Sequence, residues 1–279
     1  MPGDREGFTY GAERVLSLLR TERLGRDLRF LDTTASTQEV ALALAAGGAT
    51  EGTVVIAEEQ SAGMGRRGRT WHSGRGLGIW LSMVLRPPLS SSQCQALSTW
   101  AGLAVLDSLG VCGWKSGLAG LKWPNDVVVG RRKLCGILID AKSLGDSVSY
   151  AVLGLGLNTG HCPGDFPAEL ASTATSMRMV TGVEPERALV LSELLLCLER
   201  SYGLAMSAGG RGALASRAAR ASVLSGRPVR VIFEGTTLVG KAVGLDGDGA
   251  LMVEDALTGA VQTVRAGDVQ LIESEEDGP

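Results

Sequence analysis

The chain has 279 residues, 44% apolar and 20% charged, so it can bury a core and is not a disordered polyelectrolyte. Twenty-seven basic against 30 acidic side chains leave a net charge of −3. That balance excludes an electrostatic grip on nucleic acid or anionic membrane spread over the whole surface, and leaves only local basic clusters for such a role. The length suits one large domain, or a medium one with a small companion. Thirty-nine glycines stand beside five Trp, three Tyr and four Phe. Glycine is thus about twice as frequent as its ordinary ~7%, and position has to explain the excess.

Five widely spaced cysteines with no Cys-x-x-Cys pair argue against a disulfide framework or a zinc knuckle, and two histidines exclude a multi-histidine metal site. The first seven residues carry charge and no apolar stretch, unlike a secretory signal, and no apolar run is long enough to span a bilayer. A reduced, cytoplasmic protein is the expectation.

In chain order, the pattern predicts a short amphipathic helix over Ala12–Arg20 and another over Ser36–Ala46, with Ser36 or Thr37 at its start. Thr53–Ala57 is a β-branched run and Leu77–Leu85 is apolar on both faces, so both read as strands. Ala96–Leu109 reads as a buried helix. Val127–Val129 and Leu134–Ile139 flank a basic connection, Gly130 to Lys133, and form a hairpin; Ser147–Leu157 is its neighbouring strand. Pro185–Met206 carries leucines at helical spacing. Beyond Ser225 come five short strands, Val229–Phe233, Thr236–Gly244, Ala250–Glu254, Val261–Val264 and Val269–Ile272, which suggest a small SH3-like β-barrel. Glu273–Asp277 reads as a solvated acidic end. The expected fold is α+β, a mixed β-sheet with flanking helices over 1–224 and the small barrel over 225–279.

Several segments can carry chemistry. Gly63-Met64-Gly65-Arg66-Arg67-Gly68-Arg69-Thr70-Trp71 joins three glycines that permit close backbone approach, three arginines with forked donors for carboxylate or phosphate, and a flat ring that can stack on a base. It suits a loop closing on an anionic nucleotide; composition alone equally allows a disordered basic loop or an RNA clamp. In Leu121-Lys122-Trp123-Pro124-Asn125-Asp126, the proline extends the preceding residue and gives Lys122 a defined direction. Lys122 is then either a grip for a reacting carboxylate or α-phosphate, or an ordinary exposed lysine. Ser36, Thr37 and Gln38 open a helix, where capping alone would account for the hydroxyls. Gln60 could read a neutral polar ligand, and Asn158, closing Gly154-Leu155-Gly156-Leu157-Asn158, a nucleotide or merely a turn.

Taken in order, the glycine-arginine loop ending in Trp71, the Lys-Trp-Pro-Asn-Asp segment, Lys133-Leu134-Cys135-Gly136-Ile137-Leu138 and Gly-x-Gly-x-Asn resemble biotin protein ligases over about Leu24 to Ile272. The resemblance implies a class II aminoacyl-tRNA synthetase-like ligase domain with an SH3-like barrel. It also implies a two-step reaction: biotin and ATP give biotinyl-5′-adenylate and pyrophosphate, and biotin then passes to one lysine of a biotin carboxyl carrier protein. By position it implies biotin contacts from Ser36, Thr37, Gln38, Gln60, Gly63, Met64, Gly65, Arg66, Lys122 and Gly136. ATP or adenylate contacts fall to Arg66, Arg69, Trp71, Lys122 and Asn158, with Lys122, Arg66 and Arg69 as the catalytic cations and Mg²⁺ arriving with ATP. The metal ligands are unassigned, and Asp126 is a base for the acceptor lysine by proximity alone.

Three positions depart from the family pattern: Met64 for arginine, Gln38 for asparagine, and Asp140 for glutamate. About 25 residues precede the matching region, too few for the winged-helix domain of ligases that double as repressors, so a monofunctional ligase without operator binding is expected, with a homodimer as one open state. The glycine loop is expected to be mobile until ligand orders it. The competing readings are a lipoate ligase-like acyltransferase and an RNA-binding module using Arg66, Arg67, Arg69, Arg131, Arg132 and Lys133.

Overall fold

The computed structural model describes residues 11–115, 117–233 and 235–272. The first ten residues and the acidic end at 273–277 lie outside the described residues. A seven-stranded mixed sheet forms the larger body: β1 (Asp27–Thr34), β2 (Thr53–Gln60), β3 (Gly78–Leu85), β4 (Gly120–Lys122), β5 (Asp126–Val129), β6 (Arg132–Leu144) and β7 (Ser147–Asn158), in the order β1-β2-β3-β7-β6-β5-β4. Only β1 and β2 run parallel; the other pairs are antiparallel.

The helices are α1 (Ala12–Leu18), α2 (Thr37–Ala46), α3 (Ala96–Val111), α4 (Met177–Thr181), α5 (Arg187–Ala205) and α6 (Gly210–Ala221). The two faces of the sheet are covered unequally. Ile79, Leu81, Met83 and Leu85 of β3 and Leu153, Leu155 and Leu157 of β7 point into the main core with α3 and α5, including Leu97, Trp100, Leu191, Leu194 and Leu195. The alternate residues face the ten-residue helix α2, where Ala41 and Ala45 pack on Val55, Val84 and Val152. Because α2 is short, part of that second face is left uncovered, and the cleft described below lies there.

The predicted strands β2, β3 and β5–β7 and the helices α1, α2, α3 and α5 form where expected. β1, β4, α4 and α6 are additional. Gly209 and Gly210 belong to the α5–α6 turn: Gly209 caps α6 at φ +73°, and a Cβ on Gly210 would lie 1.8 Å from the Leu204 carbonyl oxygen.

The C-terminal strands β8 (Pro228–Phe233), β9 (Thr236–Leu245), β10 (Leu251–Asp255), β11 (Val261–Val264) and β12 (Asp268–Leu271) form an antiparallel sheet ordered β11-β10-β9-β8-β12. The strands match the expectation, but no closed barrel is found: β11 and β12 end the ladder as unpaired edges among the described residues. Trp123 joins this sheet's own core with Leu224, Val229, Val231 and Val253, and its Nε1 donates to the Gly249 carbonyl at 3.0 Å. The Lys-Trp-Pro-Asn-Asp segment therefore keys the second sheet onto the first. No helix among the described residues is long and apolar enough to cross a membrane.

Candidate functional site

The floor of the cleft follows from register. Ser82 lies opposite Gly154, which lies opposite Leu138; Trp80 lies opposite Gly156, which lies opposite Gly136. Three of these six floor positions have no side chain, so a hollow opens where α2 stops. It encloses about 450 Å³, counting its open mouth, and is rimmed by the α2 start, the glycine loop, Trp71 and the β5–β6 hairpin. The glycines are required by their neighbours. A Cβ on Gly154 would sit 2.4 Å from Gln38 Oε1, and one on Gly156 would sit 2.3 Å from Trp71 Nε1.

One end of the cleft is neutral and polar. Ser36 caps α2, its hydroxyl accepting from the Gln38 N–H at 3.2 Å. Gln60 Oε1 accepts from both the backbone N–H (2.8 Å) and the hydroxyl (3.0 Å) of Thr37. Its Nε2 donates to Ser73 Oγ at 2.7 Å. Ser82, the polar hydroxyl in an otherwise apolar buried strand, completes this end 2.9 Å from Thr37 Oγ1. The pattern of fixed donors and acceptors suits a small uncharged ring with polar edges.

The other end is cationic. Arg66, half-buried, donates from Nη1 to Asn125 Oδ1 at 3.1 Å; Asn125 is itself sewn to β6 by its Nδ2 donating to the Ile137 carbonyl at 2.7 Å. Burial, and then the nearby Arg67, push the Arg66 pKa down, the mark of a cation placed where an anion would relieve it. Lys133 Nζ pairs with Asp126 Oδ1 at 2.7 Å and stands 5.0 Å from the Trp71 ring centroid. Trp71 Nε1 is buried without a partner, an orphan donor inside the cleft. Cys135, next to Lys133's strand neighbours, is no nucleophile: complete burial raises its thiol pKa.

The glycine loop is a small hairpin. Trp71 N–H donates to the Gly63 carbonyl at 2.8 Å and Gly65 N–H to the Arg69 carbonyl at 2.7 Å, with Arg67 at the tip in a left-handed conformation, φ +56°. Arg67 and Arg69 both reach Asp268 of β12, at 2.5 and 3.4 Å, which ties the loop to the second sheet.

Of the residues expected here, Ser36, Thr37, Gln38, Gln60, Met64, Gly65, Arg66, Trp71 and Gly136 line the cleft. Four do not. Gly63 forms the hairpin base, where a Cβ would sit 2.4 Å from the Trp71 carbonyl oxygen. Arg69 is exposed on Asp268. Asn158 is buried and donates to the Thr175 carbonyl at 3.0 Å and the Lys133 carbonyl at 3.5 Å, holding the Lys133 backbone from behind. Lys122 lies on β4, opposite Asp126 and two strands out from β6, and borders a separate small cavity with Ser98, Thr99 and Leu245. The hairpin instead brings Lys133 into the cleft. Lys133, Asn125, Ser82, Gly154 and Gly156 also line the cleft, and Leu81, Ile137, Leu138 and Leu155 add apolar walls. Lys133 had a signal in its spacing from Gly136, whose missing Cβ leaves room for the Lys133 ammonium at 3.1 Å.

No group of three His, Cys, Asp or Glu side chains among the described residues could hold a metal. Of the basic residues offered for RNA binding, Arg67, Arg69 and Lys133 are in ion pairs and Arg66 is turned inward onto Asn125, while Arg131 and Arg132 are exposed at the hairpin tip.

Comparison with known proteins agrees with this geometry. Residues 30–158 match the Biotin/lipoate A/B protein ligase family and residues 224–272 the Biotin protein ligase C terminal domain. The chain is 34% identical over 254 residues to the bifunctional ligase/repressor BirA of Bacillus subtilis, covering 91% of this chain and 76% of that protein. It is 37% identical over 248 residues, 88% of each chain, to the biotin–[acetyl-CoA-carboxylase] ligase of Mycobacterium tuberculosis. Among solved structures, the Aquifex aeolicus biotin protein ligase in complex with biotin and ATP superposes with a TM-score of 0.74 at 25% identity, over 89% of this chain and all of that one. With a ligase-family cleft, a matching C-terminal domain and relatives aligned over nearly the full length, the chain belongs to the biotin protein ligase family.

Proposed function

We infer that the chain is an ATP-dependent biotin protein ligase: it joins biotin to ATP as biotinyl-5′-adenylate, releases pyrophosphate, and passes biotin to a lysine of a biotin carboxyl carrier protein. The observation that carries the reading is the two-ended cleft, with neutral hydrogen-bonding groups at Ser36, Thr37, Gln60 and Ser82 and cations at Arg66 and Lys133. The ureido ring suits the first end, and a carboxylate beside an α-phosphate suits the second.

A carboxylate oxygen must approach the α-phosphorus while both groups are anionic. Lys133 and Arg66 offset that repulsion and hold the reactants in line, and a fixed cation costs no reorganisation as charge moves onto the departing pyrophosphate. In this reading Lys133 takes the place first given to Lys122, and Arg69 acts through the loop rather than by direct contact. Trp71 walls the site and offers its free N–H to the ligand. Folding of the Gly63–Arg69 hairpin over the adenylate would exclude water from a labile mixed anhydride.

Mg²⁺ fits as a passenger on the triphosphate, since it binds through substrate phosphates with one or two carboxylates, and Asp126 beside Lys133 supplies one. Bound there, it would neutralise phosphate charge. Asp126 also remains the base candidate for the acceptor lysine. We further read 1–224 as the ligase domain, of the class II synthetase-like kind, and 225–279 as an SH3-like domain whose Asp268 holds the loop. Location in the cytoplasm, where carrier proteins and ATP meet, goes with this activity.

The test is direct: protein, labelled biotin, MgATP and a carboxyl carrier domain are incubated together. Label on a single carrier lysine supports the reading. Turnover of lipoate instead of biotin would favour the acyltransferase alternative.

A further inference from the structure

The two outer arginines of the glycine loop share one carboxylate. Arg67 Nη1 donates to Asp268 Oδ2 at 2.5 Å, and Arg69 Nη2 reaches the same oxygen at 3.4 Å. Asp268 opens β12 opposite Ile232 of β8, so it belongs to the second sheet and does not line the cleft. Arg66, the residue before Arg67, turns the other way, into the cleft and onto Asn125. Arg67, Arg69, Asp268 and Asp126 all act on the Arg66 charge, which makes the loop tip and the cationic end of the cleft one electrostatic neighbourhood. In it Arg66, Arg67, Arg69 and Lys133 face two carboxylates, Asp126 and Asp268, and the excess is positive.

The Arg67 contact is built to be exchanged. Its φ of +56° is the one positive value at a non-glycine position among the described residues, a conformation uncommon for a side chain of this kind. Next to it Gly68, at φ +72°, has open space around its α-carbon, so the tip can turn without a clash. The Arg67 side chain is about half exposed, and an ion pair so placed is weak against a better anion. Polyphosphate is a better anion: it carries more charge and more acceptor oxygens than one carboxylate, and it suits a forked guanidinium. In-line displacement at the α-phosphorus points the departing pyrophosphate away from the attacking carboxylate. With Arg66 and Lys133 at the reacting end, that direction leads out toward the rim formed by the loop.

We propose that Asp268 competes with the polyphosphate of ATP for Arg67: it holds the guanidinium until the β- and γ-phosphates arrive, and takes it back as pyrophosphate leaves. A residue of the second sheet thereby sets the affinity for ATP without touching ATP or biotin. This rests on the biotin ligase reading and adds an affinity-determining pair to it. Arg67 makes the new contact, and Arg69, with its longer reach to Asp268, follows the loop. The sign separates this account from a plain structural tie. Losing a tie would weaken both substrates, whereas losing a competitor strengthens ATP and pyrophosphate and spares biotin.

The experiment measures the KM for ATP, the inhibition constant of inorganic pyrophosphate, biotin affinity by calorimetry and the melting temperature. Asp268→Asn, nearly isosteric and uncharged, should lower the KM for ATP and the pyrophosphate constant by about threefold to tenfold each, with biotin affinity within about twofold of the parent. Asp268→Glu keeps the charge and should stay near the parent. Arg67→Ala should raise both constants, and adding Asp268→Asn to it should bring little further gain. An unchanged or higher KM for ATP in Asp268→Asn, or a gain that persists undiminished without Arg67, overturns the proposal. Should the unaltered protein show no biotin-dependent pyrophosphate exchange, the ligase reading falls and this inference with it; normal exchange there with no gain in Asp268→Asn overturns the inference alone.

Discussion

Replacing Lys133 with alanine removes the one lysine that enters the cleft while leaving its walls in place. The ammonium is about one-third exposed and 2.7 Å from a carboxylate, so it is neither fully desolvated nor freely hydrated. A unit pair at about 4 Å is worth ~4 kcal/mol at an effective dielectric of ~20. Discounted for partial exposure, ~3 kcal/mol of transition-state stabilisation remains, or a rate loss of about 10²-fold. Loss of a preorganised donor elsewhere falls in the same range, ~10²–10³. Stability should change by no more than about 1 kcal/mol, because the Asp126 left behind is still partly hydrated. Lys122→Ala, on the outer strand, should stay within about threefold of the parent. The assay is biotin-dependent adenylate formation under single-turnover conditions, with circular dichroism as the folding control. A Lys133→Ala enzyme with more than a third of parent activity, or a Lys122→Ala enzyme reduced ~100-fold, would refute the assignment.

Three further outcomes follow from the geometry. Asp268→Ala frees Arg67 and Arg69, so the Gly63–Arg69 loop should be cut faster by trypsin in the free protein and regain protection with biotin plus ATP; equal cleavage in parent and variant would count against the tie. Gly156→Ala places a methyl 2.3 Å from the Trp71 indole nitrogen and should displace the ring, visible as a shifted tryptophan emission with at least a tenfold loss of biotin affinity. His161 is fully buried and stacked on Phe166 at 4.3 Å, and burial, then His72, lower its pKa to about 4. Because the unfolded chain takes up this proton near ~6.5 and the folded one only near 4, the stabilisation is complete above ~6.5 and lost as pH falls toward 4, by about 3 kcal/mol. His161→Phe should flatten that part of the pH–stability curve; an unchanged slope contradicts the burial argument.

How far the sequence reaches differs between elements. Helix α2 is legible because Ser36 caps a run rich in Ala and Leu, both strong helix formers, and the β5–β6 hairpin because a glycine and basic residues separate two apolar runs. β1 hides among Asp27, Arg29 and Asp32 at the sheet edge, and β4 is too short at three residues to show alternation. α6 opens on glycines that read as a loop until the close approach to Leu204 is seen. At the site, residues on one local segment were legible: Ser36 to Gln38, and Met64 to Arg66. Which lysine enters the cleft was not, because Lys122 and Lys133 flank a chain reversal and only strand order separates them. Ser82 and the Asp140–Gln38 pair, in which Gln38 Nε2 donates to Asp140 Oδ2 at 2.8 Å, depend on cross-strand register, which a single sequence does not display. The departures at Gln38 and Asp140 stood out along the chain, but their pairing appears only in space.

The central claim is that the cleft joins biotin to ATP, and pyrophosphate exchange tests it most directly. Labelled pyrophosphate should enter ATP only when biotin is present, without any carrier protein, and Lys133→Ala should abolish nearly all of the exchange. Exchange that proceeds without biotin, or none at all with biotin and MgATP supplied to the folded protein, would contradict the account.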